Sequence, residues 1–360
     1  MNRPSVEELR VQLLEKDREI VRLLSERAMI SIQVGRMKGL EGVEVYDPCQ
    51  ESKVYARLKG FNQGPMPDEA LKDIFREIVS ASRALQGPTK VSCLGPRASF
   101  THMAALSHFG GGAQYHFEDA IWRVFDTVER GQAHLGVVPV ENSSEGSIKP
   151  TLDRLISTTL RIRAEIYMGI THHLLSRCQD MDEIQRVYSH PSAFAQCRGW
   201  LGENLPGRPL VEVDSTARAA QQVLTDEKGA AIASRLAAQD YGLNVLAEGI
   251  EDVPSNTTRF LVLGLGEGEA TGRDKTSIVF GTKHLPGALF RSLEPLAREG
   301  VNMLRIESHP IRERAWEYLF FVDFDGHAGD SKIQRCLRAM EQETTFIKLL
   351  GSYPAGGGPR

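Results

Sequence analysis

Residues Ser255-Asn256-Thr257-Thr258-Arg259-Phe260 run directly into Leu261-Val262-Leu263-Gly264, an apolar stretch typical of a buried strand. Two adjacent hydroxyls and a guanidinium therefore stand where a rigid strand begins. Thr can donate or accept a hydrogen bond, and Arg can hold a carboxylate with two parallel bonds. This mixture favours an anionic substrate that carries a hydroxyl. A polar turn before a core strand explains the same residues, so the rest of the chain must decide.

The middle of the chain alternates short apolar runs with amphipathic stretches. This alternation predicts an α/β segment with a mainly parallel sheet, in which functional sites lie at the carboxyl ends of strands. Polar stretches do follow several of these runs. The apolar runs are 91–94, 135–140 and 230–233. The polar stretch 95–99 follows the first run, 141–146 follows the second, and 189–191 follows Val187-Tyr188.

The first segment is predicted to be all-helical. Apolar residues recur at helical spacing over 5–38 without a proline, which predicts a helix of roughly 50 Å. A helix of that length needs a second long helix to pack against, in this chain or in a partner. Asp47-Pro48 is typical of a helix start, and that helix ends near Gly60. A third helix runs over 68–86 and is closed by Gly87-Pro88.

The last segment follows a polar linker over 266–274. Its pattern predicts strand, helix, strand, strand, helix and strand between 277 and 350, the order of a ferredoxin-like unit. The tail from Gly351 is expected to be loose. The predicted domains are 1–88, 89–266 and 275–354.

Composition narrows the classes of function. The 360 residues carry a net charge of -4 and contain no basic run, which argues against a nucleic-acid partner. The N-terminus lacks the apolar core of a signal peptide, and no apolar stretch reaches membrane-spanning length. Five scattered cysteines without a paired spacing indicate reduced thiols in the cytoplasm. Neither a metal nor a cofactor is predicted.

The spacing of several charged and polar residues in the helical segment places them on shared helix faces. Arg27 and Lys38 are eleven residues apart and return to nearly the same helix face. The residues of two further pairs, Asp47 with Glu51 and Ser82 with Gln86, are each four apart and share a face. A solvated charged surface is one explanation, and a polar site inside a helical bundle is the other.

The segment resembles the all-helical chorismate mutase family. The resemblance rests on the spacing of these charged and polar residues and on three runs: Leu9-Arg10, Leu24 to Arg27 and Val34 to Lys38. The resemblance implies that Arg10 of a partner subunit and Arg27 hold the two carboxylates of the substrate. Lys38 and Gln86 would bond its ether oxygen. The reaction, a Claisen rearrangement, needs a fixed conformer and positive charge at the breaking C–O bond.

The same resemblance assigns Asp47 and Glu51 to the ring hydroxyl and adds Ser82 to the residues that bind the substrate. The family often has Arg where this chain has Gln50. The loss of a cation near a dianion predicts weakened mutase activity.

The middle segment resembles the prephenate dehydratase family, whose fold has two α/β lobes with the site in the cleft, as in periplasmic binding proteins. Four loops carry the resemblance together: 94–96, 138–143, 188–191 with Gln196, and 256–260. The resemblance implies that Thr258 is essential and that Asn142, Ser189 and Gln196 position the substrate.

Loss of hydroxide from the ring needs a proton, so a general acid is expected near that group. Glu141 in a closed cleft beside an anion is the hypothesis for the acid. Arg259 either clamps a carboxylate or forms a structural ion pair. Ser99 is assigned to substrate binding, although the family usually has Gly at the preceding Ala98.

The last segment resembles the ACT domain, a regulatory amino-acid binder. Gly287-Ala288-Leu289 stands at a helix start, which suits the carboxylate of an effector. Asn302, Glu307 and Ser308 are assigned to the same effector, with Glu307 meeting an ammonium across a dimer interface. The family often has Arg where this chain has His309.

The three segments in this order resemble the bifunctional chorismate mutase–prephenate dehydratase family. The resemblance implies that the chain converts chorismate to prephenate and then to phenylpyruvate, with inhibition by phenylalanine and as a homodimer. Alternatives are a regulatory amino-acid-binding protein with an impaired mutase and inactive catalytic lobes, a solute-binding protein, and a dehydratase that prefers arogenate.

Overall fold

The structure, a computed structural model, describes residues 4–41, 45–310 and 318–356. The chain divides into two units, residues 1–89 with 109–114, and residues 90–108 with 115–360. Among the described helices, none is both long enough and apolar enough to cross a membrane.

The first unit contains three helices: α1 (Val6–Glu41), α2 (Pro48–Phe61) and α3 (Asp68–Gln86). The Asp47 side chain accepts hydrogen bonds from the backbone N–H groups of Cys49 and Gln50, both at 3.0 Å, so it caps α2 as the sequence predicts. The predicted all-helical fold of this segment is confirmed.

Helix α1 leaves much of its apolar surface uncovered within one chain. Leu13, Ile20 and Val21 are each more than half exposed, whereas Ser31 is buried. A long exposed apolar face marks an interaction surface. The predicted pairing with a partner subunit stays a prediction that this surface favours.

The second unit begins with two lobes, each built on a sheet. The first sheet has the order β2-β1-β3-β11-β5 with β4 beside β3, and the second has the order β10-β6-β9-β7-β8. The strands are β1 (Lys90–Leu94), β2 (Gln114–Glu118), β3 (Leu135–Asn142), β4 (Gly146–Ser147), β5 (Arg161–Gly169), β6 (His173–Ser176), β7 (Arg186–Ser189), β8 (Leu210–Glu212), β9 (Gly229–Ala233), β10 (Asn244–Glu248) and β11 (Thr257–Gly264). The helices are α4 (Phe100–Phe109), α5 (Ile121–Glu129), α6 (Lys149–Ser157), α7 (Pro191–Gln196), α8 (Arg198–Asn204), α9 (Thr216–Val223) and α10 (Arg235–Tyr241).

Both sheets are mixed, so the expectation of a mainly parallel sheet is wrong. Strand β3 pairs parallel with β1 but antiparallel with β11, and β9 pairs parallel with β7 but antiparallel with β6. The chain passes from the first sheet to the second after β5 and returns after β10. Two backbone hydrogen bonds join the two crossing segments. The Ile170 N–H donates to the Asn256 carbonyl at 2.8 Å, and the Ile250 N–H donates to the His172 carbonyl at 3.0 Å.

The C-terminal domain has the predicted ferredoxin-like order. Its elements are β12 (Asp274–Thr282), α11 (Ala288–Arg298), β13 (Met303–Pro310), β14 (Tyr318–Asp325), α12 (Ser331–Glu343) and β15 (Thr344–Pro354). The strands form one antiparallel sheet in the order β13-β14-β12-β15. The expectation of a loose tail from Gly351 is wrong, because β15 continues to Pro354 and Tyr353 is fully buried.

A buried ionic cluster joins the first sheet to the C-terminal domain. The Arg259 guanidinium lies 2.9 Å from the Glu165 carboxylate and 2.6 Å from the Asp323 carboxylate, and it donates to the Tyr353 hydroxyl at 3.0 Å. Lys275 approaches Glu165 to 2.8 Å. Burial would raise the pKa of Asp323, but the charge of Arg259 and the Ser277 hydroxyl outweigh burial and lower that pKa.

We predict that Asp323→Ala lowers the free energy of unfolding of the second unit by about 3–5 kcal/mol, because it leaves Arg259 partly uncompensated in the interior. Urea denaturation measures this loss. The matched control is Glu248→Ala, which breaks an exposed pair with Arg235 at 3.0 Å and should cost less than about 1 kcal/mol. The stability that the Asp323 carboxylate contributes is fully present above the pKa that Asp323 has in the unfolded state. It is lost as the pH falls through the lower pKa that Asp323 has in the folded state. Equal losses in the two variants would contradict the prediction.

Candidate active sites

Thr258 and Asn142 lie opposite each other on the paired strands β11 and β3. The Asn142 amide nitrogen donates to the Thr258 hydroxyl oxygen and to the Asn256 side-chain oxygen, both at 2.8 Å. The Asn142 oxygen accepts from the backbone N–H groups of Ser144 and Glu145, which fixes the orientation of the amide. Since the Thr258 oxygen is already an acceptor, its own proton is available to donate into the cavity beside it.

Gln196, at the end of α7 in the second lobe, reaches this group from across the cleft. Its side-chain oxygen accepts from the Asn256 amide at 2.9 Å, and its amide nitrogen donates to the Glu145 carboxylate of the first lobe at 3.0 Å. A cavity of about 260 Å³ lies here between the lobes. The structure therefore brings Thr258, Asn142 and Gln196 together, as the sequence predicts.

Ser99 also lines this cavity. Its hydroxyl donates to the Leu94 carbonyl at 2.8 Å and accepts from the His102 N–H at 3.2 Å, so it sits at the start of α4. The preceding Ala98 has φ 66°, in the left-handed region that favours glycine. Glycine suits that position because it adopts this conformation without strain. In this chain, alanine adopts the same conformation.

Ser189 is not brought into the cavity. It is fully buried at the end of β7, and its hydroxyl donates to the Ile232 carbonyl of the neighbouring β9 at 2.8 Å. The prediction that Ser189 positions the substrate is corrected accordingly, because its hydroxyl supports the sheet beneath α7.

Glu141 faces away from Thr258. Successive side chains of a strand point to opposite faces, so Glu141 emerges on the other side of β3 from Asn142. Its carboxylate lies 2.9 Å from the Arg305 guanidinium of the C-terminal domain, in a separate cavity of about 400 Å³. The hypothesis that Glu141 is the acid next to Thr258 is corrected by this placement.

The same alternation corrects the prediction that Arg259 clamps a substrate carboxylate. Arg259 follows Thr258 directly and lies with Glu141 on the C-terminal-domain side of the sheet. Both of its carboxylate partners belong to the protein. The contacts of Arg259 are therefore those of a structural ion pair, the other interpretation of this residue.

Three further residues at this cleft are missing from the predicted site: Asn256, Glu145 and His172. Glu145 stands in the polar stretch that follows β3, and Asn256 stands in the polar stretch that directly precedes β11, so both positions could be recognised in the sequence. His172 is 2% exposed, and its Nε2 lies 2.9 Å from the Gln196 side-chain oxygen. Burial lowers the pKa of His172. His172 lies in a stretch that matches the dehydratase family, but a histidine in a loop is more often structural, so the sequence alone does not select it.

A second polar group lies in the helical unit. Arg27 on α1 donates to the Ser82 hydroxyl on α3, and Lys38 donates to the Val45 carbonyl at 3.2 Å. Glu51 on α2 forms an ion pair with Arg83 at 2.9 Å. Asp47 is the cap of α2, and Gln86 on α3 packs closely against Gly35 of α1.

Burial raises the pKa of Glu51 to about 7, although the positive charge of Arg83 opposes this shift. The sequence did not reveal Arg83, which is buried and also donates to the Phe109 carbonyl at 2.7 Å. Arg10 lies toward the other end of α1, is exposed and pairs with Glu7 at 3.3 Å. Within one chain, Arg10 is therefore separate from the other predicted mutase residues.

The predicted effector residues fall into two groups. Gly287, Ala288 and Leu289 line a surface depression at the start of α11, where Gly287 has φ 75°. Asn302 lies elsewhere, in the cavity with Arg305, and donates to Asp325 at 3.3 Å. Two other predicted effector residues lie on β13: Glu307, which is 3.7 Å from Arg305, and the exposed Ser308.

His309 takes part in a contact between domains. Its Nε2 lies 2.6 Å from the Asp153 carboxylate on α6, and its ring meets Phe321 edge to face. His309 is buried, so it points away from the exposed Ser308 on the same strand.

Comparison with known proteins agrees with this arrangement. Family models match three consecutive parts of the chain: chorismate mutase type II over 9–87, prephenate dehydratase over 91–267 and the ACT domain over 276–342. A prephenate dehydratase from Arthrobacter aurescens, solved in complex with L-Phe, is 37% identical with a TM-score of 0.68, and the match covers 74% of this chain and 90% of that one.

Two relatives match almost the whole chain. A bifunctional chorismate mutase/prephenate dehydratase from Aquifex aeolicus is 43% identical over 353 residues, covering 97% of this chain and 98% of that protein. One of the same description from Neisseria gonorrhoeae is 43% identical over 341 residues and covers 94% of each. The resemblance seen in the sequence is confirmed, and the chain belongs to the bifunctional chorismate mutase/prephenate dehydratase family.

Proposed function

We propose that this protein rearranges chorismate to prephenate in its helical unit and converts prephenate to phenylpyruvate in the cleft between its lobes. The observation that carries the dehydratase assignment is the Asn142–Thr258 hydrogen bond at 2.8 Å, which leaves the Thr258 proton free to meet a departing hydroxide.

In the cleft, the ring C–O bond and the bond to the ring carboxylate break together. CO2 and hydroxide leave, and the electron pair of the C–CO2 bond completes the aromatic ring. Thr258 donates a hydrogen bond to the leaving oxygen, where negative charge develops. Asn142 holds the Thr258 hydroxyl in that direction.

Because Arg259 faces away, the substrate carboxylates need another source of positive potential. The starts of α4 and α9 both open onto the cavity, through Ser99 to Thr101 and through Ser215 and Thr216. Backbone N–H groups at a helix start attract anions. We assign the carboxylates to these two helix starts.

In the helical unit, Arg27, Lys38 and Gln86 are the chain's own candidates for holding chorismate, with Asp47, Glu51 and Ser82 beside them. Arg10 is too far along α1 to join them within one chain, so the partner subunit of a homodimer supplies it in this proposal. The exposed apolar face of α1 supports that dimer.

We further propose inhibition by phenylalanine at the C-terminal domain and a cytoplasmic location. The start of α11 suits the carboxylate of an amino acid. The other effector residues are Asn302, directly before β13, and Glu307 and Ser308 on β13, and none of them lines the depression at the start of α11. This separation supports a site completed by a partner subunit.

Separate assays with chorismate, prephenate and arogenate, each with and without phenylalanine, test the proposal. We expect turnover of chorismate and prephenate, and inhibition of the dehydratase step by phenylalanine. Turnover of prephenate but not of chorismate would show that the Gln50 difference has abolished mutase activity. A preference for arogenate would change the assigned substrate of the dehydratase. Absence of any turnover would favour a purely regulatory binding protein.

We predict that Thr258→Val lowers the turnover of prephenate by more than about 100-fold, the usual cost of losing a donor to a developing anion. Thr257→Val is the matched control. Thr257 lines the cavity on the other face of the sheet, so its variant should stay within about threefold of the wild type. Urea denaturation and the circular dichroism spectrum of each variant show whether the second unit remains folded. Equal loss in both variants would contradict the assignment.

A second prediction concerns Glu141→Gln, which should keep prephenate turnover within about twofold and leave its pH profile unchanged, because the carboxylate faces Arg305. Asn142→Ala, one residue along the strand, should lose most activity. Steady-state kinetics between pH 5 and pH 9 measure both effects. Loss of one limb of the pH profile in Glu141→Gln would restore Glu141 as the acid.

The raised pKa of Glu51 predicts a pH-dependent stability of the helical unit. The folded state holds this proton more tightly than the unfolded state, so stability is full below pH 4.5 and falls as the pH rises to about 7. The change is about 3 kcal/mol at most. Denaturation at several pH values should show that Glu51→Gln flattens the fall. The control Glu26→Gln alters an exposed pair with Arg22 and should leave the fall intact.

A further inference from the structure

His172 lies on the first crossing between the two lobes, beside the cleft but without a place in the reaction described above. Its side chain is 2% exposed, and its Nε2 is 2.9 Å from the Gln196 side-chain oxygen. Its backbone N–H donates to the Glu251 carboxylate at 2.8 Å, and the Phe100 ring meets it edge to face. The imidazole is therefore held from several sides.

The contacts of Gln196 decide which imidazole nitrogen carries the proton. The Gln196 nitrogen donates to the Glu145 carboxylate, so the Gln196 oxygen must face Asn256 and His172. An oxygen accepts, so Nε2 of His172 must be the donor. Nδ1 is buried and has no hydrogen-bond partner among the described residues, which suits a nitrogen without a proton.

A flipped Gln196 amide would meet the wrong partner at both ends. Its oxygen would face the Glu145 carboxylate, and its nitrogen would face the donor of Asn256. The Nε2–H of His172 adds a second donor to the Gln196 oxygen and so disfavours this flip.

We propose that His172 is a positioning residue for the dehydratase: neutral and protonated on Nε2, it fixes the Gln196 amide so that its N–H groups face Glu145 and the substrate. The inference rests on the proposed dehydratase function. His172 acts through Gln196 and does not touch the reacting atoms.

Two variants separate the donor from the bulk of the side chain. In His172→Gln the amide nitrogen can occupy the place of Nε2 and still donate, whereas in His172→Asn the amide is too short to reach Gln196. We expect kcat/KM for prephenate within about threefold of wild type in His172→Gln and a loss of about tenfold in His172→Asn, the cost of one buried hydrogen bond. The control is His173→Gln, since His173 is also buried and makes no described hydrogen bond to Gln196. It should stay close to wild type.

Urea denaturation and the circular dichroism spectrum of each variant show whether the second unit, which carries His172, is folded. Equal kcat/KM in the Gln and Asn variants, whether high or low, would overturn the proposal. Long-range ¹H–¹⁵N NMR of the wild-type imidazole tests the tautomer independently of activity. A proton on Nε2 and none on Nδ1 is expected, and a proton on Nδ1 would overturn the proposal. If the wild-type protein did not turn over prephenate, the proposed function would fail while the NMR result still decided the tautomer.

Discussion

The buried ion pairs of Arg259 are the contacts on which the second unit depends. One guanidinium links Glu165 on β5, Asp323 on β14 and Tyr353 on β15. Removing one member of such a cluster leaves a charge in the interior, which costs far more than an exposed pair contributes. These side-chain contacts fix the position of β11 relative to the C-terminal domain. The position of Thr258, one residue earlier, is fixed with it.

The same two-sided arrangement occurs on two neighbouring strands. On β11, Thr258 faces the cleft and Arg259 faces the C-terminal domain. On β3, Asn142 faces the cleft and Glu141 pairs with Arg305 of that domain. Thr258, which bonds the leaving oxygen in the proposed reaction, and Asn142, which orients Thr258, thus each adjoin a residue that contacts the proposed regulatory domain. This geometry gives the proposed inhibition by phenylalanine a short physical route between effector and cleft.

The sequence predicted the order of the parts well, because helical periodicity, the Asp47-Pro48 cap and the ferredoxin-like order of elements are local signals. It failed where long-range pairing decides. The two crossings between the sheets make both sheets mixed, and the contact of Tyr353 with Arg259 orders a tail that looks loose on its own. Glu141 and Arg259 were placed in the cleft because they adjoin Asn142 and Thr258 in sequence. The alternation of a strand sends them to the other face. Which face of the sheet borders the cleft and which is covered depends on where the C-terminal domain docks. No local sequence pattern shows that docking.

The most direct test of this account is backbone hydrogen exchange of the Thr258→Val protein with and without prephenate. We expect prephenate to slow exchange at the starts of α4 and α9, residues 99–103 and 215–219, and in the cleft segments 142–148, 190–196 and 249–256. Segments around the Arg259 cluster, 274–277 and 318–325, should be unchanged. Slower exchange confined to the cluster segments would contradict the account, because the substrate would then lie on the face of the sheet that carries Arg259 and Glu141.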